Sequence, residues 1–173
     1  MISIISGKYK SIKLYDSKDL SVRPTQAKVR KSVFQILEPL TGLSVLDLYA
    51  GIGTLGLEAI SRGASKATFV EQNHRVFKVL QKNIRLFSDE KCASYLMDAI
   101  FFLSRSKNKY FDLIFADPPY DQISYEFIKS KIINTLKPGG IFCMEMHKEN
   151  IDEPVERIKY YGNTQVVFWR AEA

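Results

Sequence analysis

From residue 43 onward, short apolar runs alternate with longer amphipathic stretches, the pattern of strands separated by helices. Residues 44–49, 67–71, 93–97, 111–116 and 141–146 read as strands, and residues 54–62, 73–87, 98–103 and 125–136 as the helices between them. In the helix over 73–87, Val76, Val79, Leu80, Ile84 and Phe87 recur at three- and four-residue spacing, an ordinary buried stripe. Pro118 and Pro119 end the fourth strand abruptly, and Lys137, Pro138, Gly139 and Gly140 stop the last helix. Residues 156–161 and 164–169 form two more strand-like runs around Gly162 and Asn163, a two-residue hairpin signal. The pattern predicts an α/β, Rossmann-like domain over residues 41–173: a seven-stranded, mostly parallel sheet with an antiparallel hairpin at one edge.

Residues 1–40 follow a different rhythm. Two short strand-like pieces, residues 2–6 and 11–14, precede an amphipathic helix over residues 25–37, bracketed by Pro24 on one side and Pro39 with Gly42 on the other. Forty residues rarely fold alone, so this segment is expected to pack on the main domain as a small N-terminal extension. It carries most of the charge: eight basic residues (Lys8, Lys10, Lys13, Lys18, Arg23, Lys28, Arg30, Lys31) against Asp16, Asp19 and Glu38 give it +5 of the chain's net +6. A nearly neutral body with a basic appendage suits a phosphate-bearing partner, though charge alone fits a solvated lysine-rich surface equally well.

Composition narrows the classes. A chain of 173 residues, 46% hydrophobic, has the side chains to bury one full core. No apolar run approaches the roughly 20 residues of a membrane-spanning helix, and residues 1–10 lack the pattern of a secretory signal, so a cytoplasmic protein is expected. Cys92 and Cys143 are far apart and read as reduced core thiols. His74 and His147 lack ligand spacing, and no metal is expected. Trp169 reads as a packing residue.

Two constellations carry chemistry. Gly51, Gly53 and Gly56 spell G-x-G-x-x-G between a strand and a helix, and Glu71, twenty residues after Gly51, closes the next strand. Read as a dinucleotide site, the turn would hold a pyrophosphate and Glu71 a ribose. S-adenosylmethionine (SAM) needs the same ribose carboxylate and close backbone, but it brings a sulfonium and an ammonium, for which Asp47 is a favourable neighbour. Asp98, opening a helix after the third strand, suits either a helix cap or an acceptor for the adenine amine.

The second constellation is Asp117, Pro118, Pro119 and Tyr120, directly after the fourth strand. Beyond the carboxyl end of a strand in an open sheet, it would lie beside the glycine turn. Adjacent prolines supply carbonyls and no N–H, an ionised Asp117 only accepts, and Tyr120 can stack, so together they form an acceptor slot for a flat base bearing an amine. Holding both amine hydrogens turns the nitrogen lone pair toward a methyl donor. Guanine, with N1–H and N2–H2 as adjacent donors, suits an acceptor-only carboxylate, and adenine remains open. A chain this small has little room to read duplex DNA, which favours RNA with an accessible base.

Residues 5–10 with Gly7, Lys8 and Lys10, then Val22, Arg23, Pro24 and Thr25 with Val29, Arg30 and Phe34, then Asp47 with the glycine turn through Ala59, Phe69 to Glu71, and Asp117 to Tyr120 together resemble the RsmD family. Those bacterial enzymes methylate a guanine N2 in small-subunit ribosomal RNA. The resemblance implies the SAM-dependent methyltransferase fold, SAM as cofactor, and cofactor contacts at Asp47, Ala50, Gly51, Gly53, Glu71, Asp98 and Ala99. It implies guanine contacts and catalysis at Asp117, Pro118, Pro119 and Tyr120. For RNA, Lys8 and Lys10 join Arg23, Thr25 and Arg30, the last three facing RNA or bracing the extension. Gln26, Ala27 and Lys31 depart from the family's usual acidic residues there. The implied partner is ribosomal RNA, within a small-subunit particle, with a monomeric enzyme and neither membrane nor metal. An adenine-N6 methyltransferase, a nicotinamide-dependent oxidoreductase and a non-catalytic RNA-binding module are the competing readings.

Overall fold

A computed structural model describes residues 1–17, 25–106, 108, 110–119 and 123–173. Arg23 and Tyr120 lie outside these described residues. A two-stranded antiparallel piece, β1 (Ile2–Ser3) and β2 (Lys13–Leu14), is followed by α1 (Ala27–Leu37). The main sheet then forms from β3 (Ser44–Leu48), β4 (Lys66–Glu71), β5 (Cys92–Leu96), β6 (Phe111–Ala116), β7 (Leu136–His147), β8 (Arg157–Tyr161) and β9 (Thr164–Arg170). Its helices are α2 (Thr54–Ser61), α3 (His74–Arg85), α4 (Ala99–Arg105) and α5 (Tyr125–Ile132). The strand order is β5-β4-β3-β6-β7-β9-β8, with β3 to β7 mutually parallel and β8 and β9 antiparallel, which is the expected seven-stranded arrangement.

The chain builds outward from β3 through β4 to β5, then crosses back to add β6 and β7 on the other side of β3. That reversal makes the carboxyl ends of β3 and β6 the topological switch point, where an open sheet gapes. Along β3 the side chains alternate: Val45 joins Phe69, Phe115 and Leu57 in the core under α2, while Leu46 and Leu48 join Ile114, Phe142 and Tyr125 in the core under α5. Asp47 shares the parity of Val45 and so projects beneath α2.

The N-terminal extension belongs to the first of these cores through Ile4, Leu14, Val29, Val33, Phe34 and Leu37. Phe34 is fully buried against Phe115, ring centroids 5.6 Å apart, and a buried side chain of this size contributes about 1.5–3 kcal/mol. Glu58 of α2 fastens the strand: it is fully buried and accepts from the Ile5 and Ser6 amides at 2.8 and 3.0 Å. Ser61, the last residue of α2, accepts from the Tyr9 amide through Oγ at 2.9 Å and from the Lys8 amide through its carbonyl at 2.8 Å.

The main departure from the pattern concerns residues 137–140. They lie inside β7 and not between helix and strand, because the β6–β7 register shifts between Phe111 and Leu113 and the irregularity absorbs Pro138 and Gly139, the latter at φ 73°. Helix α5 correspondingly ends at Ile132, short of the expected Leu136. Among the described residues no helix is long and apolar enough to cross a membrane, and no cluster of three metal-ligating side chains occurs.

Candidate active site

A cavity of about 1110 Å³ opens at the switch point. Its floor is the turn between β3 and α2, one wall is Asp117 to Pro119 after β6, and its rim is the start of α1 together with the β8–β9 turn. The glycine turn is stabilised from within. Glu71, at the end of β4, accepts from the Gly51 amide at 2.9 Å through Oε2 and from the Asn73 amide at 2.7 Å through Oε1. Asp47 accepts from the Gly56 amide at 2.9 Å, and the Gly53 amide donates to the Ala50 carbonyl at 2.9 Å. A Cβ on Gly56 would fall 2.3 Å from the Phe69 ring, so this glycine permits the helix to press on β4.

Those bonds decide between the two cofactor readings of the motif. A dinucleotide pyrophosphate binds by taking the amides of such a turn, and here all three glycine amides are already committed to a carboxylate or to the turn itself. The charge balance agrees: Asp47, Glu71, Asp117 and Glu145 line the cavity, with Lys28 the only basic residue among its described lining. Such a lining offers a pyrophosphate no cluster of cations and suits a cationic ligand bearing a ribose, since each Glu71 oxygen holding one amide keeps a further lone pair for a diol.

Burial and neighbouring charge raise two of these acids, Asp47 and Asp117. Asp47 is driven well above the ordinary carboxylate range by burial, with Asp117 and Glu71 adding to it. Asp117 is pushed up to about 8, first by burial and then by Glu145, while a hydrogen bond from Thr25 opposes the rise. The register explains the pairing: Ala116 of β6 stands opposite Met144 of β7, which sets the next residues, Asp117 and Glu145, side by side over the cavity. Pro118 and Pro119 both line it and have no amide hydrogens to offer.

Tyr49 brings β3 to its end at φ 58°, a left-handed conformation uncommon outside glycine. Its buried hydroxyl finds no hydrogen-bond partner among the described residues, and burial, reinforced by Asp98, pushes its pKa up to about 12.

The other candidate residues separate by position. Ala50 and Ala99 line the cavity. Asp98 caps α4, accepting from the Phe101 amide at 2.8 Å, which is one of the two roles its position suggested. Thr25 reaches the site itself, donating to Asp117 Oδ2 at 3.2 Å. Arg30 is only 3% exposed, donates to the Ser3 carbonyl at 3.2 Å and lies 3.9 Å from Glu58, so it braces the extension and is not presented to RNA. Lys8 pairs with Glu90 at 2.8 Å just before β5, at the edge where the strands begin, and Lys10 is exposed in the same turn. Neither lysine lines the cavity.

The family model described as Conserved hypothetical protein 95 matches residues 2–170. The chain belongs to that family. Its curated relatives include Ribosomal RNA small subunit methyltransferase D of Buchnera aphidicola, 36% identical over 161 residues, 88% of this chain and 82% of that one. This is the RsmD family suggested by the motifs. The solved structure of yhhF from Escherichia coli superposes with a TM-score of 0.90 at 29% identity, covering 99% of this chain and 98% of that one. An RNA methyltransferase from Salinibacter ruber, solved with S-adenosyl-L-homocysteine, shares the fold at a TM-score of 0.68 and 13% identity, covering 87% and 94% of the two chains.

Several cavity residues of this RsmD-family chain were not legible beforehand. Glu145 sits in an apolar strand whose facing could be read only once its register with β6 was known, and Gln72, Asn73 and Met97 follow strands whose ends the pattern fixes only loosely. The β8–β9 turn is distant in sequence from every motif, and only the antiparallel order β7-β9-β8 carries it to the rim.

Proposed function

We infer that this protein is a SAM-dependent methyltransferase of small-subunit ribosomal RNA that places the methyl group on a guanine N2. The observation that carries the reading is the shared cavity: the acceptor ledge of Asp117, Pro118 and Pro119 faces the glycine turn held by Glu71 and Asp47. When bound, SAM would supply a methyl group made electrophilic by its sulfonium, the carbon–sulfur bond breaking to leave the neutral thioether S-adenosyl-L-homocysteine. Glu71 takes the ribose diol, Asp47 and the other carboxylates favour the cationic groups, Ala50, Gly51 and Ala99 permit close approach, and Gly53, at φ 92°, shapes the turn.

Asp117, ionised, accepts from the base amine and the adjacent N1–H, and the Pro118 carbonyl accepts the second amine hydrogen. Both hydrogens are then held in one plane and the nitrogen lone pair is turned out of it, toward the cofactor side. Asp117 must lose its proton to do this, and a cation in the same cavity favours that loss. After transfer the substituted nitrogen is strongly acidic, so Asp117 Oδ2 can take its proton without being a powerful base. Tyr120 completes the slot by stacking on the base. Arg23 serves RNA from the extension, and Thr25 acts through Asp117. Such an enzyme works in the cytoplasm as a monomer without a metal, on RNA within a small-subunit particle.

The test is to supply methyl-labelled SAM with deproteinised small-subunit RNA and, separately, with small-subunit particles, then to hydrolyse the product to nucleosides. Label in N2-methylguanosine is expected, with higher turnover on particles. Label in N6-methyladenosine would overturn the base assignment, and RNA binding without SAM binding would reduce the protein to a binding module.

A further inference from the structure

Nine large hydrophobic side chains are exposed among the described residues, and of these Tyr160 alone lines the cavity. It is 62% exposed, at the end of the edge strand β8. Its neighbour Tyr161 points the other way, as strand alternation requires, and donates its hydroxyl to Ser32 Oγ of α1 at 2.6 Å. The turn is held a second time where the Lys148 amide donates to the Asn163 carbonyl at 3.0 Å. The Tyr160 ring therefore stands on a braced hairpin and packs into no core, with the Lys148 ammonium over it at 5.4 Å from the centroid. Lys28 of α1 is an exposed cation of the same cavity lining.

A braced aromatic face with a cation beside it, in the lining of a site that takes a base, matches what unpaired nucleic acid requires: stacking for a base and positive charge for its phosphates. We propose that Tyr160 is a stacking platform for an unpaired nucleotide next to the target guanosine, with Lys148 beside the ring holding an adjoining phosphate. The platform rests on the functional reading above, since it presumes an RNA strand entering this cavity. Its energetic role is in binding RNA: the ring is at the rim, outside the acceptor ledge of Asp117 and Pro118, and so contributes to substrate affinity and not to the chemical step.

Steady-state methylation of small-subunit RNA by the full chain, with Tyr160→Ala and Tyr160→Phe beside the wild type, tests it. Tyr160→Ala should raise KM for RNA by roughly 5- to 150-fold, the range set by loss of one base–aromatic stack, with kcat and the affinity for S-adenosyl-L-homocysteine within about twofold. Tyr160→Phe keeps the π face and should restore KM to within about twofold of wild type. An unchanged KM in Tyr160→Ala, a Tyr160→Phe variant as impaired as the alanine, or a parallel loss of homocysteine-analogue binding would overturn the platform. A wild-type enzyme that transfers no methyl to RNA, deproteinised or within small-subunit particles, would overturn the functional reading instead, a result distinct from any KM ratio.

Discussion

Thr25, just before α1, donates its hydroxyl to Asp117 Oδ2 across 3.2 Å, joining the N-terminal extension to the acceptor ledge 92 residues away. The bond favours the ionised carboxylate against the burial and the Glu145 charge that raise it. Thr25→Val should therefore push Asp117 further up and move the acid limb of the kcat/KM profile to higher pH, by about one unit for a bond of ordinary strength. Thr25→Ser should leave the limb in place. A profile that does not move in Thr25→Val would mean that Asp117 ionisation does not govern the rate.

The raised Asp117 also sets a stability slope. In the unfolded chain the carboxyl loses its proton near 4, whereas the folded protein retains it up to about 8, so the native state binds the extra proton across that window. Stability should fall as pH rises through the window, by at most about 1.4 kcal/mol per pH unit for this group. Asp117→Asn removes the titration, and thermal unfolding from pH 5 to 8 should show a shallower decline than wild type. Identical slopes would contradict the assignment. Asp47, raised in the same direction, leaves a residual slope in the variant.

Glu71 has two structural tasks as well as its place beside the ribose. Replacing it with alanine orphans the Gly51 and Asn73 amides, which should destabilise the protein by about 2 kcal/mol and weaken cofactor binding at least tenfold. Melting temperatures with and without SAM separate the effects: the rise given by SAM to wild type should be clearly smaller at equal concentration in Glu71→Ala. A full rise in the variant would remove Glu71 from the cofactor site.

Arg30 and Lys28, two residues apart on α1, should separate cleanly. Arg30→Met removes a buried cation beside Glu58 and should lower stability by about 1–3 kcal/mol, while the salt dependence of RNA binding stays as in wild type. Lys28→Ala should leave stability nearly unchanged and reduce the slope of log K against log salt by about 0.7 for one phosphate contact. A reversed pattern in filter binding would place Arg30 on the RNA.

The features that shaped the sequence pattern were those with a local cause. Strand parity, the two-residue turn at Gly162 and Asn163 and the glycine turn each follow from neighbours in the chain, and each is found where expected. What the pattern concealed depends on partners far away. Arg30 reads as a surface cation until Glu58 and the Ser3 carbonyl are seen around it. Glu145 acquires meaning only from its place beside Asp117, and Tyr160 only from the hairpin's contact with α1 through Ser32. The residues 137–140 misled because a proline and two glycines ordinarily break elements, whereas here a register shift keeps them in the strand.

The central claim is that the acceptor ledge acts on the base and the glycine turn on the cofactor. Asp117→Ala, assayed in parallel for SAM affinity by calorimetry and for methyl transfer to small-subunit RNA in a single turnover, tests that division directly. The account predicts SAM affinity within a few-fold of wild type and transfer reduced by at least about a hundredfold; affinity and transfer lost together, or transfer retained, would contradict it.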